Sequence, residues 1–255
     1  MTLRGAPVAG STFIITGANG GIGLAFAVEA LEQGAAKVYC GVRDLDAVSD
    51  ELAASGAIPV LLDVTDEAQV AAVAAQCSEV NVVINNAGLH AQDRLVEAAD
   101  PGAARREMEV NYFGPLAMIR AFYPVIEANG GGSVVNVLSV AAIAPTAFMG
   151  GYSPAKVAAH YLGGIARAEL EPRGITVTDL FVGSVDTKMA AHVEGAKEAP
   201  STVAIAGLKA MSRAEWMCDT DLMAEQSRAR LARDPVRYER GLGKLLFMDS
   251  LNTRR

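Results

Sequence analysis

Apolar and polar positions along this chain follow two rhythms. Short β-branched runs alternate with longer stretches that repeat an apolar residue every third or fourth position. Thr12 to Thr16 is a run of the first kind that ends at Gly17, and Ile22 to Gln33 then takes up helical spacing. Lys37 to Gly41 predicts a second strand and Leu45 to Ala54 a helix, followed by a third strand from Pro59 to Leu62, closing at Asp63. Glu67 to Cys77 predicts a further helix, and Val80 to Ile84 is nearly all apolar, as suits a strand buried on both faces. Ala103 to Ala128 reads as one long helix, with Met108, Tyr112, Leu116 and Ile119 on its apolar stripe and Gly130, Gly131 and Gly132 as its stop. Ser133 to Leu138 is the fifth predicted strand, Tyr152 to Leu170 a second long helix, and Ile175 to Phe181 the sixth strand. Beyond it the pattern predicts a helix from Ser201 to Met211, a short seventh strand at Glu215 to Cys218, and a charged amphipathic helix from Leu222 to Arg233 before a basic tail. Strand and helix alternate throughout, which implies an α/β fold: a doubly wound parallel sheet with helices on both faces and ligands at the carboxyl ends of its strands.

Composition narrows this picture. With 255 residues, 51% of them hydrophobic, the chain suits one domain over residues 1–255 with a sizeable core. Its 25 glycines and only 5% aromatics fit small-residue helices packed closely on a sheet. The net charge of −7 and the lack of any Lys/Arg block argue against a nucleic-acid partner. Met1 to Ser11 is too short and too mixed for a secretory leader, and Asn136, Ser139 and Pro145 interrupt the longest apolar stretch. No membrane span is expected, and the expected location is cytoplasmic. Cys40, Cys77 and Cys218 are odd in number and far apart, so they read as small buried hydrophobes rather than as a disulfide or zinc framework. His90, His160 and His192 lack metal-ligand spacing, and no metal is expected.

Two stretches carry chemistry. Between the first strand and first helix runs Thr16-Gly-Ala-Asn-Gly-Gly-Ile-Gly23, taking in Asn19 and Ile22. Gly17 permits a tight turn, Gly21 lets backbone approach a pyrophosphate, and Gly23 permits close packing, while the helix start offers N–H groups to an anion. The second strand ends Cys40-Gly-Val-Arg-Asp44. Arg43 there can pair with a ribose 2′-phosphate and favours NADP; Asp44 in the same slot would hold a 2′-hydroxyl and favour NAD. NADP, with NADPH preferred over NADH, is the expected cofactor. The other stretch is Tyr152-Ser-Pro-Ala-Lys156, whose phenol and ammonium share one helix face. A phenol ordinarily titrates near about 10, and an adjacent ammonium draws it toward neutrality, where it serves as general acid or base. Pro154 in the first turn costs the helix no hydrogen bond.

From about Thr12 to Met189 the chain resembles the short-chain dehydrogenase/reductase family in its compact subclass, which has a Rossmann-type seven-stranded parallel sheet. The resemblance rests on Thr16-Gly-x-x-x-Gly-x-Gly23, Asp63-Val64, Asn85-Asn-Ala-Gly88, Asn111, Ser139, Tyr152-x-x-x-Lys156, and Gly183 followed by Thr187. It implies that Tyr152 exchanges the proton, Lys156 lowers its pKa and holds the nicotinamide ribose, Ser139 bonds the substrate oxygen, and Asn111 holds a water linking Lys156 to solvent. It also implies that Asp63 and Val64 meet the adenine, Asn85, Ala87 and Gly88 line the adenosine side, and Val185 and Thr187 contact the nicotinamide amide. The implied reaction is hydride transfer between nicotinamide and a ketone or secondary alcohol. Two departures leave the chemistry untouched: Val182 stands where the family often has proline, and Leu138 precedes Ser139 where a serine is usual.

Leu89, Ala141, Ile143, Phe148, Met149 and Met189 fall in segments that would surround the reacting carbon, so a small, apolar carbonyl or alcohol substrate is expected. His90 could touch substrate or lie on the surface. Glu194 to Glu198 and Arg228 to Arg240 read as solvated charge. The resemblance also implies association through the two long helices, Ala103 to Ala128 and Tyr152 to Leu170, in a homodimer or homotetramer, with small residues Ala158, Ala159, Gly163 and Gly164 allowing close approach. Two other functional classes stay open: a redox sensor that binds NADP(H) without turnover, and a dehydratase or epimerase using the same tyrosine.

Overall fold

The computed structural model describes residues 4–252, with side chains described up to residue 246. Seven strands form one parallel sheet in the order β3-β2-β1-β4-β5-β6-β7. They are β1 (Thr12–Thr16), β2 (Lys37–Val42), β3 (Ile58–Leu61), β4 (Val82–Asn85), β5 (Gly132–Val137), β6 (Ile175–Phe181) and β7 (Met217–Asp219). Helices α1 (Gly21–Glu32), α2 (Asp50–Ala54), α3 (Glu67–Gln76), α4 (Ala103–Met108), α5 (Gly114–Ala128), α6 (Tyr152–Leu170), α7 (Pro200–Ser212), α8 (Leu222–Arg233) and α9 (Pro235–Asn252) complete the fold.

Side chains alternate along the strands, so each strand feeds two cores. Phe13, Ile15, Val82, Ile84 and Val135 join Phe26, Leu208 and Met211 on the α1–α7 side. Ile14, Val83, Val134 and Val177 join Met118, Phe122, Ile126 and Leu170 on the side of α3, α5 and α6. Burial on both faces explains why the inner strands read as continuous apolar runs. The strand order reverses beside β1, so the carboxyl ends of β1 and β4 flank the crevice where an open α/β sheet binds ligands.

Most strand and helix ends shift by one or two residues from the sequence reading, and four departures have a local cause. Residues 45–48 are not helical: Asp44 accepts from the Asp46 N–H at 2.9 Å to form a turn, and α2 begins only where Ser49 caps it by accepting from Leu52. The stretch read as one helix from Ala103 to Ala128 is broken by a π turn at Glu109–Phe113. The seventh strand begins two residues later, at Met217, because Ala214 turns with φ 55° and Glu215 N–H still bonds the Ala210 carbonyl of α7. The basic tail is helical, started by Asp234 accepting from Arg237 N–H, with Pro235 in the first turn. One side chain also corrects the solvated-charge reading. Arg228 makes a two-pronged bond to Asp219 at 2.7 Å and lies 4.4 Å over the Phe181 ring.

Candidate active site

The glycine turn is held from three sides. Gly17 (φ 64°) and Gly21 (φ 57°) both adopt left-handed backbone. A Cβ on Gly17 would sit 2.8 Å from the Ala87 Cα, and one on Gly21 would sit 3.1 Å from the Thr187 Cγ2, so the loops after β4 and β6 close directly on it. A Cβ on Gly23 would strike the Asn86 amide at 2.5 Å. That amide donates to the Thr16 and Gly17 carbonyls, while the Thr16 hydroxyl accepts from the Asn86 and Ala87 N–H groups. Asn19 reaches sideways, accepting from Ser49 N–H and donating to the Ala47 carbonyl at 2.8 Å. It therefore fixes the turn against the segment that follows Arg43. Helix α1 follows Gly20 with no side-chain cap and no acid in its first turn, a state it shares with α4, α5, α6 and α7, but it alone of these stands behind the glycine turn. An uncapped helix start behind a glycine cradle fits a dinucleotide pyrophosphate.

Ser139, Tyr152, Lys156 and Asn111 converge on the floor beside this turn, all of them buried. Ser139 follows β5 and caps a short helical turn, its Oγ accepting from Ala141 N–H at 3.2 Å. Ser153, in the first turn of α6, donates to the Ala141 carbonyl at 2.6 Å and so locks Tyr152 to the Ser139 segment. The Lys156 ammonium donates to the Val137 carbonyl at 2.9 Å and lies 5.5 Å from the Tyr152 ring centroid. Asn111 sits in the π turn, where the widened backbone lets its amide donate to the Glu107 carbonyl as well as to Leu89. A Cβ on Gly88 would lie 3.2 Å from Asn111 Oδ1 and 3.8 Å from Lys156 Nζ. These three residues thus share one small space.

Electrostatics on this floor differ from the simple sequence expectation. Burial pushes the Tyr152 phenol up to about 12, against a downward pull from Ser139, and Glu107 adds to the rise. Burial brings Lys156 down to about 8. Desolvation, rather than attraction between phenol and ammonium, governs both groups. At neutral pH Tyr152 is therefore a protonated donor beside a charged lysine.

The other predicted contacts sort by position. Asp63 is half-buried, and its carboxylate accepts from Thr65 N–H and hydroxyl at 2.9 and 2.7 Å. Val64 is buried against Gly114. Asn85 is turned into the sheet, where its amide donates to Asn136, which in turn donates to Asp179. Its Oδ1 is buried with no hydrogen-bond partner among the described residues. Ala87, Gly88, Ile22 and Thr187 lie on or beside the turn, half-buried, and Val185 is buried, paired with Glu198. Arg43 and Asp44 stand exposed at the rim.

Glu107 escaped the sequence reading. It looks like one more charge beside Arg105 and Arg106, yet it is 2% exposed. Its carboxylate accepts from Ala91 N–H at 2.8 Å and from Gly151 N–H, joining the loop after β4 to the residue before Tyr152. Burial raises its pKa, with those two N–H groups opposing. The available signal was its spacing, one helical turn before Asn111. His90 also departs from a surface reading, since its ring lies 5.0 Å from that of Tyr152.

A doubly wound parallel sheet with a glycine turn at its crevice and a buried Ser–Tyr–Lys floor places this chain among Rossmann-type α/β proteins. Residues 11–198 match the family model described as short chain dehydrogenase, and the chain belongs to that family. It is 33% identical over 198 residues to dehydrogenase/reductase SDR family member 7B of Bos taurus, a match covering 72% of this chain and 61% of the relative. It is also 33% identical over 183 residues to the NADPH-dependent 1-acyldihydroxyacetone phosphate reductase of Schizosaccharomyces pombe, covering 69% and 60%. The chain thus spans about three fifths of the length of these curated relatives. Among solved structures, a short chain dehydrogenase from Burkholderia cenocepacia J2315 in complex with NADP superposes with a TM-score of 0.88 at 38% identity, covering 92% of this chain and 98% of that one. The 3-ketoacyl-(acyl-carrier-protein) reductase of Brucella melitensis complexed with NADH gives a TM-score of 0.74 at 27% identity, with 84% and 95% covered. Among the described residues no helix is long and apolar enough to cross a membrane.

Proposed function

We propose that this chain is a single-domain NADP(H)-dependent oxidoreductase that reduces a ketone, or oxidises the matching secondary alcohol, with Tyr152 as the proton-exchanging group. The observation that carries the reading is the convergence of Ser139, Tyr152, Lys156 and Asn111 on one buried floor next to an uncapped glycine turn. When bound, the nicotinamide supplies or accepts the hydride. The glycine turn and the start of α1 hold the pyrophosphate, and Lys156 holds the ribose hydroxyls and keeps positive charge under the reacting oxygen. Ser139 donates to that oxygen as charge builds on it, and Tyr152 delivers the proton. Asn111 positions the path by which Lys156 exchanges protons with solvent.

NADP is favoured over NAD because Arg43 is exposed and joins no ion pair among the described residues, while the Asp44 carboxylate is engaged with Asp46 N–H. The similar Burkholderia protein was solved with NADP, which supports the same choice. Leu89, Ile143, Phe148 and Met149 are half-buried or exposed on the loops that precede Tyr152 in the chain and offer apolar surface for an apolar substrate, whereas Ala141 is fully buried. We place the reaction in the cytoplasm and assign a homo-oligomer, because Tyr161 and Ile165 project from α6 at 67% and 61% exposure, an apolar face suited to a second copy. A panel of ketones and alcohols followed at the nicotinamide absorbance tests the reaction. Consumption of NADPH with at least one ketone is expected; tight NADPH binding without any turnover would overturn it.

A further inference from the structure

The proton transfer makes no use of the segment after β7, and the family match ends before it, at residue 198. Asp221 stands in that segment between β7 and α8 and is 8% exposed. A buried carboxylate is costly unless donors surround it, and here they do. Oδ1 accepts from Ala224 N–H at 3.0 Å and so caps α8. Oδ2 accepts from Gly183 N–H at 2.7 Å and from the Thr220 hydroxyl at 3.1 Å. Capping needs only one oxygen. The other holds the loop after β6, and closely, since a Cβ on Gly183 would sit 2.5 Å from the Asp221 Oδ1.

That loop spans the site. At its start the Val182 carbonyl accepts from Val140 N–H at 2.9 Å, next to Ser139, and at its far end Thr187 closes on Gly21 of the glycine turn. Val182 has no ring to fix its φ, so hydrogen bonds settle the course of the chain from there. Further along, the Ser184 carbonyl accepts from Glu198 N–H at 2.8 Å, which ties the middle of the loop. Helix α8 also packs on the back of the catalytic floor, where the fully buried Ala224 joins Leu138, Ala142 and Ala159. We infer that Asp221 is a positioning residue: by holding Gly183 N–H it sets the path of the loop from Gly183 to Thr187, and through that loop the placement of the nicotinamide over Ser139 and Tyr152. This rests on the NADP(H)-dependent reading of the site.

Two variants separate positioning from helix capping. Serine caps a helix about as well as aspartate, but its single, shorter oxygen cannot also reach Gly183, so Asp221→Ser keeps the cap and loses the loop, whereas Asp221→Ala loses both. With NADPH and a ketone that the wild type reduces, both variants should lose about 10-fold to 100-fold in kcat, and Asp221→Ala should be the less stable of the two to denaturant. A serine variant with the wild-type kcat would show that Asp221 serves α8 alone and would overturn the inference. Adenosine 2′,5′-bisphosphate, which lacks the nicotinamide, gives a readout without turnover. Asp221→Ser should weaken NADPH by about 3-fold to 10-fold and leave this fragment unchanged. Equal losses for the two ligands, or no loss for either, would also overturn the inference. If NADPH alone is weakened while the wild type reduces no ketone, the proposed reaction fails and the positioning role stands.

Discussion

The floor of the site and its ribose rim lie on the same crevice but obey different physics. Ser139, Tyr152, Lys156 and Asn111 are buried and each is held by a named partner, whereas Arg43 and Asp44 stand in water. On the floor, loss of hydration outweighs the mutual attraction of phenol and ammonium and keeps Tyr152 protonated. At the rim, charge acts through solvent, where it is screened within about 8–10 Å at physiological salt. Floor substitutions should therefore alter turnover and the pH dependence of stability, and rim substitutions should alter cofactor choice in a salt-dependent way.

Ser139→Ala tests the floor side of the contrast through turnover. Removing one donor aimed at developing negative charge should lower kcat by about 100-fold to 1000-fold, with NADPH affinity nearly unchanged. Steady-state kinetics and a fluorescence titration of NADPH check both halves.

Lys156→Met sharpens the floor side. The folded lysine, brought from 10.5 down to about 8 by burial, costs the fold on the order of 3 kcal/mol at neutral pH. Losing its bond to the Val137 carbonyl offsets about 1–3 kcal/mol of that. The variant should thus be inactive yet no less stable than wild type near neutral pH. Between about 8 and 10.5 the unfolded lysine keeps a proton that the folded one has released, so wild type should gain stability relative to the variant as pH rises. Denaturant titrations of both proteins across that window measure the gap; a constant gap would show that the buried ammonium is not the cause.

Arg43→Ala breaks the rim side. It should weaken NADPH by about 1.5–3 kcal/mol, leave NADH little changed, and do so less at high salt. Equal losses for both cofactors would remove the arginine from the choice.

Much of the architecture was readable because strands buried on both faces must be apolar and amphipathic helices must repeat. All seven strands and the turn of Gly17, Gly21 and Gly23 were visible in this way. Features decided by a single side chain bond were not. Asn111 sits in a π turn and bonds the Leu89 and Glu107 carbonyls, a break and partners that periodicity does not register. Asn85 sits in a motif that pointed to the crevice, yet its amide is claimed by Asn136 across the sheet. Arg228 read as solvated charge and Glu107 drew no reading, because a sequence shows type and spacing but not burial. The direction of the Tyr152 shift failed for the same reason: the neighbouring ammonium is legible in the sequence, and the dry surroundings are not.

The most direct test is Tyr152→Phe, assayed with NADPH and a ketone that the wild type reduces. Removing a buried, protonated phenol should cut turnover by at least about 1000-fold while NADPH still binds almost as it does to wild type. A variant that binds NADPH and reduces the ketone at close to the wild-type rate would contradict the account.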